Sequence, residues 1–303
     1  FVISGYLITS LILKELKFTN NFSFKNFYER RTRRIIPALL TVILFSLPVG
    51  WFYLLPIDII EFSKSILYSI GFSSNYFFYF SDIEYNALDS LFKPFLHTWS
   101  LSVEEQYYIL FPVTLLLIFK FFRNFLFTFL FLILIGSLIL ANLTGPENFS
   151  LNFYSIHTRI WQLISGSILA YIEISKNYRS NNNSLNEFLP ILGLIFIFYS
   201  FFFYNDKILH PSFTTILPII GVCLVIWFSN EGGIVTKILS SKYFVGTGLI
   251  SYSLYLWHFP IFSFAKIIEF TEGDLLKKAF LIILKIIFSK ISFKFIEQRF
   301  RNR

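Results

Sequence analysis

Asn124-Phe125-Leu126-Phe127-Thr128-Phe129-Leu130-Phe131-Leu132-Ile133-Leu134-Ile135-Gly136-Ser137-Leu138-Ile139-Leu140-Ala141 is a run of eighteen residues without one charged side chain. At a rise of about 1.5 Å per residue, a helix of this length reaches across the hydrocarbon core of a bilayer. Similar apolar runs occupy 1–13, 35–55, 104–120, 158–175, 188–204, 212–229, 244–265 and 275–295. Of the 303 residues, 55% are hydrophobic and 15% charged, with a mean hydropathy of +0.64. Soluble chains carry about a quarter charged residues. The pattern predicts an all-α fold, a polytopic transmembrane bundle with about nine spanning helices, filling the chain as one membrane domain with no soluble domain.

The stretch 59–80 reads differently. Asp58, Glu61 and Lys64 interrupt its start and Ser73, Ser74 and Asn75 its middle, which predicts a half-inserted or interfacial segment. With 59–80 kept from crossing, eighteen Lys and Arg fall on one side of the membrane and seven on the other, Lys285 lying inside a run. The positive-inside rule then makes 14–34 and the C-terminus cytoplasmic. The long loop 81–103, with Asp82, Glu84 and Asp89, is placed outside. The Asn-rich stretch 181–183 is expected to be a solvated turn.

The net charge of +8 is accounted for by these flanking cations and does not call for nucleic acid. A single cysteine, Cys223, excludes an intrachain disulfide or thiolate metal site. No His/Cys/Asp spacing suggests a metal, and neither a phosphate-binding glycine loop nor a Gly-x-Ser-x-Gly elbow occurs. No cofactor is expected to stay bound. The chain opens at Phe1 inside an apolar run and contains no Met, and is read as lacking an upstream segment; that opening run has no basic flank or cleavage site of a signal peptide.

Polar groups at membrane depth cost several kcal/mol unless partnered, and four clusters ask for a reason. In Phe27-Tyr28-Glu29-Arg30-Arg31-Thr32-Arg33-Arg34-Ile35-Ile36-Pro37, four arginines precede a spanning run. They anchor the topology on anionic headgroups, or clamp the phosphates of a nucleotide-type donor. In His97-Thr98-Trp99-Ser100-Leu101-Ser102-Val103-Glu104-Glu105-Gln106-Tyr107-Tyr108, an imidazole, two carboxylates, an indole and an amide meet at a helix mouth. Ser100 or Ser102 would cap that helix with Glu104 and Glu105 in its first turn. Capping leaves His97 and Trp99 unexplained, and the set suits a polyhydroxylated acceptor and general base chemistry.

Arg159 and Trp161 open a further run: they snorkel outward and sit in the aromatic belt, or they bind substrate. Gly166 and Ser167 beyond them are small enough for another helix to approach closely. In Ser251-Tyr252-Ser253-Leu254-Tyr255-Leu256-Trp257-His258-Phe259-Pro260, the residues Ser251, Tyr255 and His258 share one helical face. That stripe reads as a wet cavity or as interfacial belt residues. His157 and His210 are expected in loops, without a role.

Three of these clusters, 27–37, 97–108 and 251–260, together with Phe1-Val2-Ile3-Ser4-Gly5-Tyr6-Leu7-Ile8-Thr9 and, as a weaker match, Phe295-Ile296-Glu297-Gln298-Arg299-Phe300-Arg301, resemble the acyltransferase-3 family of bacterial integral-membrane O-acyltransferases, which includes sugar O-acetylases. Arg299 stands where the family usually has proline. The resemblance implies transfer of an acyl group, usually acetyl, from acetyl-CoA or another acyl-CoA as co-substrate to a hydroxyl of a cell-surface or lipid-linked glycan. It also implies a multi-pass protein of the bacterial inner membrane, among membrane lipids. The family's arginine pair maps to Arg31 and Arg33, with Arg30 and Arg34 beside them, for the acyl donor. The family relies on a His in a first membrane helix, preceded by an Arg, and neither is in this sequence; restoring that helix would make ten. His97, Glu104, Glu105 and His258 are the expected supporting catalytic residues. Trp99, Gln106, Tyr107, Arg159, Trp161, Ser251, Tyr255 and Trp257 are the expected substrate contacts. The competing reading is a transporter or flippase of a lipid-linked sugar, whose polar stripe lines a pathway.

Overall fold

The computed structural model describes residues 1–83, 90–180, 182–205, 208–270 and 274–301. Glu84, Asp89 and Asn181, considered above, lie outside them, as do two of the cations in the Lys/Arg count, Lys207 and Arg303. Among the described residues the protein is helical and contains no strand. The helices are α1 (Val2–Thr19), α2 (Phe24–Tyr53), α3 (Pro56–Ile70), α4 (Ser74–Ile83), α5 (Thr98–Phe121), α6 (Leu126–Glu147), α7 (Phe149–Tyr154) and α8 (Ile156–Ser175). They continue as α9 (Asn183–Phe203), α10 (Ile216–Phe228), α11 (Ile234–Leu239), α12 (Lys242–Leu249), α13 (Ser251–Ile267), α14 (Leu275–Ser292) and α15 (Gln298–Arg301).

Every apolar run of the sequence falls on a helix. Four helical stretches, Phe24–Tyr53, Thr98–Phe121, Arg123–Glu147 and Asn183–Phe203, are long and apolar enough to cross a membrane. Their outward faces are those of a protein solvated by lipid: Phe127, Phe131, Leu132, Ile139 and Leu143 of α6 are all exposed. The stretch 59–80 breaks at Gly71–Ser73 into helices of fifteen and ten residues, both short of the roughly 20 residues of a spanning helix. The run 244–265 is likewise interrupted, between α12 and α13.

Side-chain caps mark where helices start. Ser23 accepts from the Asn26 amide at 3.3 Å, Asn148 from Leu151 at 2.9 Å, and Asp274 from Leu276 at 2.8 Å. Asn182 accepts from Leu185 at 3.3 Å, so the asparagine stretch is in part a helix cap. Because α2 begins at Phe24, the four arginines lie on the helix itself.

The chain divides into two compact units: Phe1–Phe22 with Val103–Phe244, and Ser23–Ser102 with Val245–Arg303. In the first, α1 crosses α8 with backbones in near contact. A Cβ on Gly5 would lie 1.8 Å from the Leu163 carbonyl oxygen, and one on Gly166 would lie 1.9 Å from that of Val2. The small residues read at 166 and 167 do admit a neighbouring helix, with Gly5 as the other half of the crossing. Ser167 Oγ donates to Gly5 O at 3.2 Å across the same contact. Behind α8 lies α6, whose Ser137 Oγ donates to His157 O at 2.6 Å and accepts from the Trp161 amide at 3.3 Å. A second glycine crossing, Gly193 against Gly221, joins α9 to α10.

In the second unit α13 packs between α2 and α14. Tyr252 donates from α13 to the Ile35 carbonyl at 3.0 Å. Hydroxyls link α3, α4 and the start of α5: Ser69 to Thr98 at 2.8 Å, Thr98 to Ser74 at 2.9 Å, and Ser74 to Ser102 at 2.8 Å.

Gly166→Ala is expected to lower stability by about 3 kcal/mol, at the upper end of overpacking costs. Gly136→Ala on α6, where an added Cβ meets nothing within 4 Å, should leave it unchanged. Thermal unfolding in detergent checks both, and equal melting temperatures would show that the α1/α8 crossing is not tight.

Candidate active site

The strongest clustering of expected site residues is in the second unit, where the turn ending at His97 meets α13. The His97 ring lies 5.3 Å from that of His258 and 5.0 Å from that of Tyr255, centroid to centroid, and stacks on Phe259 at 5.5 Å. Tyr255 Oη donates to the His97 carbonyl at 2.5 Å and lies 3.0 Å from Ser100 Oγ. Two clusters 158 residues apart in sequence are thus joined by one phenol, which fixes the turn carrying His97.

The two imidazoles are held differently. His258 Nδ1 is 2.5 Å from the Tyr255 carbonyl oxygen. A carbonyl only accepts, so Nδ1 carries the proton and Nε2 presents the lone pair of the neutral ring. His97 is 6% exposed, and neither ring nitrogen makes a well-aligned hydrogen bond. Burial, and then the neighbouring His258, push its pKa well below the usual 6.5; backbone groups of Pro94 and Leu256 pull more weakly the other way. His97 is therefore a neutral imidazole near pH 7, with one ring nitrogen carrying the proton and the other a lone pair.

The remaining expected residues are distributed as follows. Ser251 is exposed at the start of α13, so the polar stripe narrows to Tyr255 and His258. Trp257 is buried against Phe288 at 5.0 Å and Phe45 at 5.8 Å, a packing position between α14 and α2. Trp99 is half-buried on the first turn of α5.

The expected cap of α5 needs correction. The helix begins at Thr98, has no acid in its first turn, and uses Ser102 to reach Ser74. Glu104 and Glu105 stand on its second turn, so offsetting the helix dipole does not account for them.

In the first unit, Glu104 accepts from Tyr108 at 3.1 Å, Glu105 is buried, and Gln106 is half-buried. Tyr107 is 1% exposed, with its hydroxyl 2.7 Å from Ser167 Oγ; it ties α5 to α8. Arg159 does not snorkel. Its side chain is buried and folds back, with Nε donating to the Phe153 carbonyl and the guanidinium 4.6 Å from the Phe153 ring centre. Trp161 sits in the core at 2% exposed, away from any aromatic belt. His157 lies on α8 rather than in a loop.

On α2, Arg33 pairs with Glu29 at 2.6 Å. Arg31 and Arg33 are half-buried, and Arg30 and Arg34 exposed. Glu297, buried in the π-turn Phe293–Glu297, accepts from Ser253 of α13. Burial raises its pKa, while Ser253, Arg34 and Arg301 draw it down. Ser253 and Glu297 were not singled out as a pair from the sequence. The available signal was that Glu297 is the only acid among the five cations of 290–303.

A family profile described as an acyltransferase domain matches residues 1–284. The chain belongs to the acyltransferase-3 family. It is 31% identical, over an alignment of 321 residues covering all of the chain, to O-acetyltransferase OatA of Staphylococcus aureus (strain NCTC 8325 / PS 47). That alignment takes in 52% of the relative, so the chain spans about half its length. An uncharacterized protein of Haemophilus influenzae (strain ATCC 51907 / DSM 11121 / KW20 / Rd) is 34% identical over 242 residues, covering 77% of the chain and 98% of that protein. No solved structure matches. The family fits the helical membrane fold.

The burial of His97 yields a titration test. In a histidine NMR titration of the protein, the resonance removed by His97→Gln should titrate well below pH 6.5. The linked stability is fully present above pH 6.5, where unfolded and folded rings are both neutral, and is lost as pH falls below it. A midpoint at or above 6.5 would contradict the buried, unprotonated ring.

Proposed function

We propose that the protein is an O-acyltransferase of the bacterial inner membrane. It moves an acyl group, acetyl in the first instance, from acyl-CoA at the cytoplasmic face to a hydroxyl of a cell-surface or lipid-linked glycan. Family membership supports the acyl-transfer class, and the naming of OatA as an O-acetyltransferase supports the ester product. The observation that carries the reading to the level of residues is the imidazole pair: two rings 5.3 Å apart, His97 buried and His258 half-buried, with His258 Nδ1 donating to the Tyr255 carbonyl.

The reaction makes one C–O bond and breaks one C–S bond. The acceptor oxygen attacks the thioester carbonyl, its proton passes to a base, and the thiol leaves as free CoA. His97 and His258 orient the acceptor hydroxyl and stabilise its departing proton. Tyr255 and Ser100 hold the turn that carries His97 in place. Glu104 and Glu105 are candidates for supporting the same chemistry. The arginines of α2 suit the phosphates of CoA, because guanidinium is permanently charged and donates bidentately. On the Lys/Arg bias, this arginine face and the C-terminus are cytoplasmic.

The test is labelled acetyl transfer to cell-envelope glycan by the full gene product expressed in a bacterial host. His97→Gln and His258→Gln are each expected to lower the rate by about 10²- to 10⁴-fold, the usual contribution of a positioned proton acceptor. Arg31→Gln with Arg33→Gln should raise KM for acyl-CoA more than it lowers kcat. The proposal fails if the wild-type protein transfers no acyl group while glycan translocation depends on it.

A further inference from the structure

The C-terminal ends of α1, α5 and α8, all on the face that the Lys/Arg bias makes cytoplasmic, enclose a cavity of about 190 Å³ that no step above uses. One water needs roughly 10–15 Å³ by the same measure, so the space admits a group the size of a phosphodiester.

The polar part of its lining is Lys17, Asn20, Arg123 and Ser175, and it contains no acid. Each of these side chains can donate a hydrogen bond. Lys17 Nζ gives one to the Ile174 carbonyl at 3.3 Å, which leaves two N–H groups for another acceptor. The Arg123 guanidinium is held 4.8 Å from the centre of the Phe119 ring, a contact that orients it without using its N–H edge. Among the described residues neither cation has a carboxylate within ion-pair distance.

Cations near helix C-termini offset the helix dipole, and Lys17, on the last turn of α1, does so. That role needs no cavity, and it does not explain what surrounds this one. Phe18 beside Lys17, and Phe121, Phe122 and Phe125 around Arg123, are all exposed. Four rings held out of the protein next to two cations are unfavourable in water and well solvated where acyl chains meet headgroups. Lining and rim together match a ligand with two parts, an anion rich in acceptor oxygens and an apolar tail. Basic pockets between membrane helices on this face suit a lipid phosphate.

We propose that this cavity binds the phosphodiester headgroup of an anionic phospholipid, with Lys17 and Arg123 on the phosphate and the exposed phenylalanines along the acyl chains. The site uses none of the residues assigned to acyl transfer and does not depend on that reaction.

Native mass spectrometry of the full gene product in detergent, titrated with phosphatidylglycerol or phosphatidylcholine, measures the site. Phosphatidylglycerol is expected to bind more tightly, and Lys17→Gln with Arg123→Gln to weaken it roughly tenfold or more while leaving phosphatidylcholine unaffected. Lys237→Gln with Lys242→Gln removes the same charge from exposed positions elsewhere and should change little, which separates a site from diffuse attraction. Ser175→Trp keeps both cations and fills the space from an exposed position; it should weaken phosphatidylglycerol binding as well. Coenzyme A and inorganic phosphate are titrated in parallel as other sources of phosphate, and coenzyme A binding should be unchanged by the Lys17 and Arg123 substitutions. The proposal is overturned if phosphatidylglycerol binds no better than phosphatidylcholine, if the two double variants weaken it equally, or if Ser175→Trp leaves it intact. It is also overturned if the Lys17 and Arg123 substitutions abolish binding of coenzyme A or inorganic phosphate and spare phosphatidylglycerol.

Discussion

Hydrocarbon offers no hydrogen-bond partner, so each polar side chain on these apolar helices must find one within the protein. Much of the packing in each unit is a response to that constraint. Tyr107, Ser167 and the Gly5 carbonyl form a chain that holds α5, α8 and α1 together at the place where two glycines let backbones touch. Ser69, Thr98, Ser74 and Ser102 do the same for α3, α4 and the first turn of α5. Serine and threonine suit this use because they are small enough for close helix approach and carry both donor and acceptor.

Against that background the groups left without partners are informative. His97 is as deeply buried as the hydroxyls around it, yet its ring meets only weak backbone partners at Pro94 and Leu256 while its own backbone carbonyl receives the Tyr255 phenol. The protein anchors the backbone of this residue more firmly than its ring. Such an arrangement costs stability, because desolvating a weakly paired imidazole is unfavourable. It is the arrangement expected of a group that meets its partner in a substrate.

The arginine helix is tied to the C-terminal end of the chain by the same logic. Tyr252 reaches the Ile35 carbonyl on α2, and the adjacent Ser253 reaches Glu297, whose carboxylate feels Arg34 and Arg301. The π-turn at Phe293–Glu297 shifts the helical register at that place. α13 therefore contacts the cationic face near its start and the imidazole pair one to two turns later.

Composition and the apolar runs were sufficient to determine a helical membrane protein, since a soluble core has no use for that much unbroken apolar length. The motifs in order along the chain were sufficient for the family. They also brought His97, His258 and Tyr255 into one candidate set, because polar residues in apolar helices are conspicuous in sequence. What the sequence could not decide was which of these residues face one another and which are packing. Tyr107, Trp161 and Trp257 look like binding residues on the page and are core residues in the fold, since aromatic rings with a polar tip serve both purposes. The start of α5 was misplaced by several residues because Ser102 has the chemistry of a cap but finds a better partner in Ser74, on another helix. Periodicity and composition are local properties and survive in the sequence, whereas hydrogen-bond choice among competing partners is settled by tertiary packing.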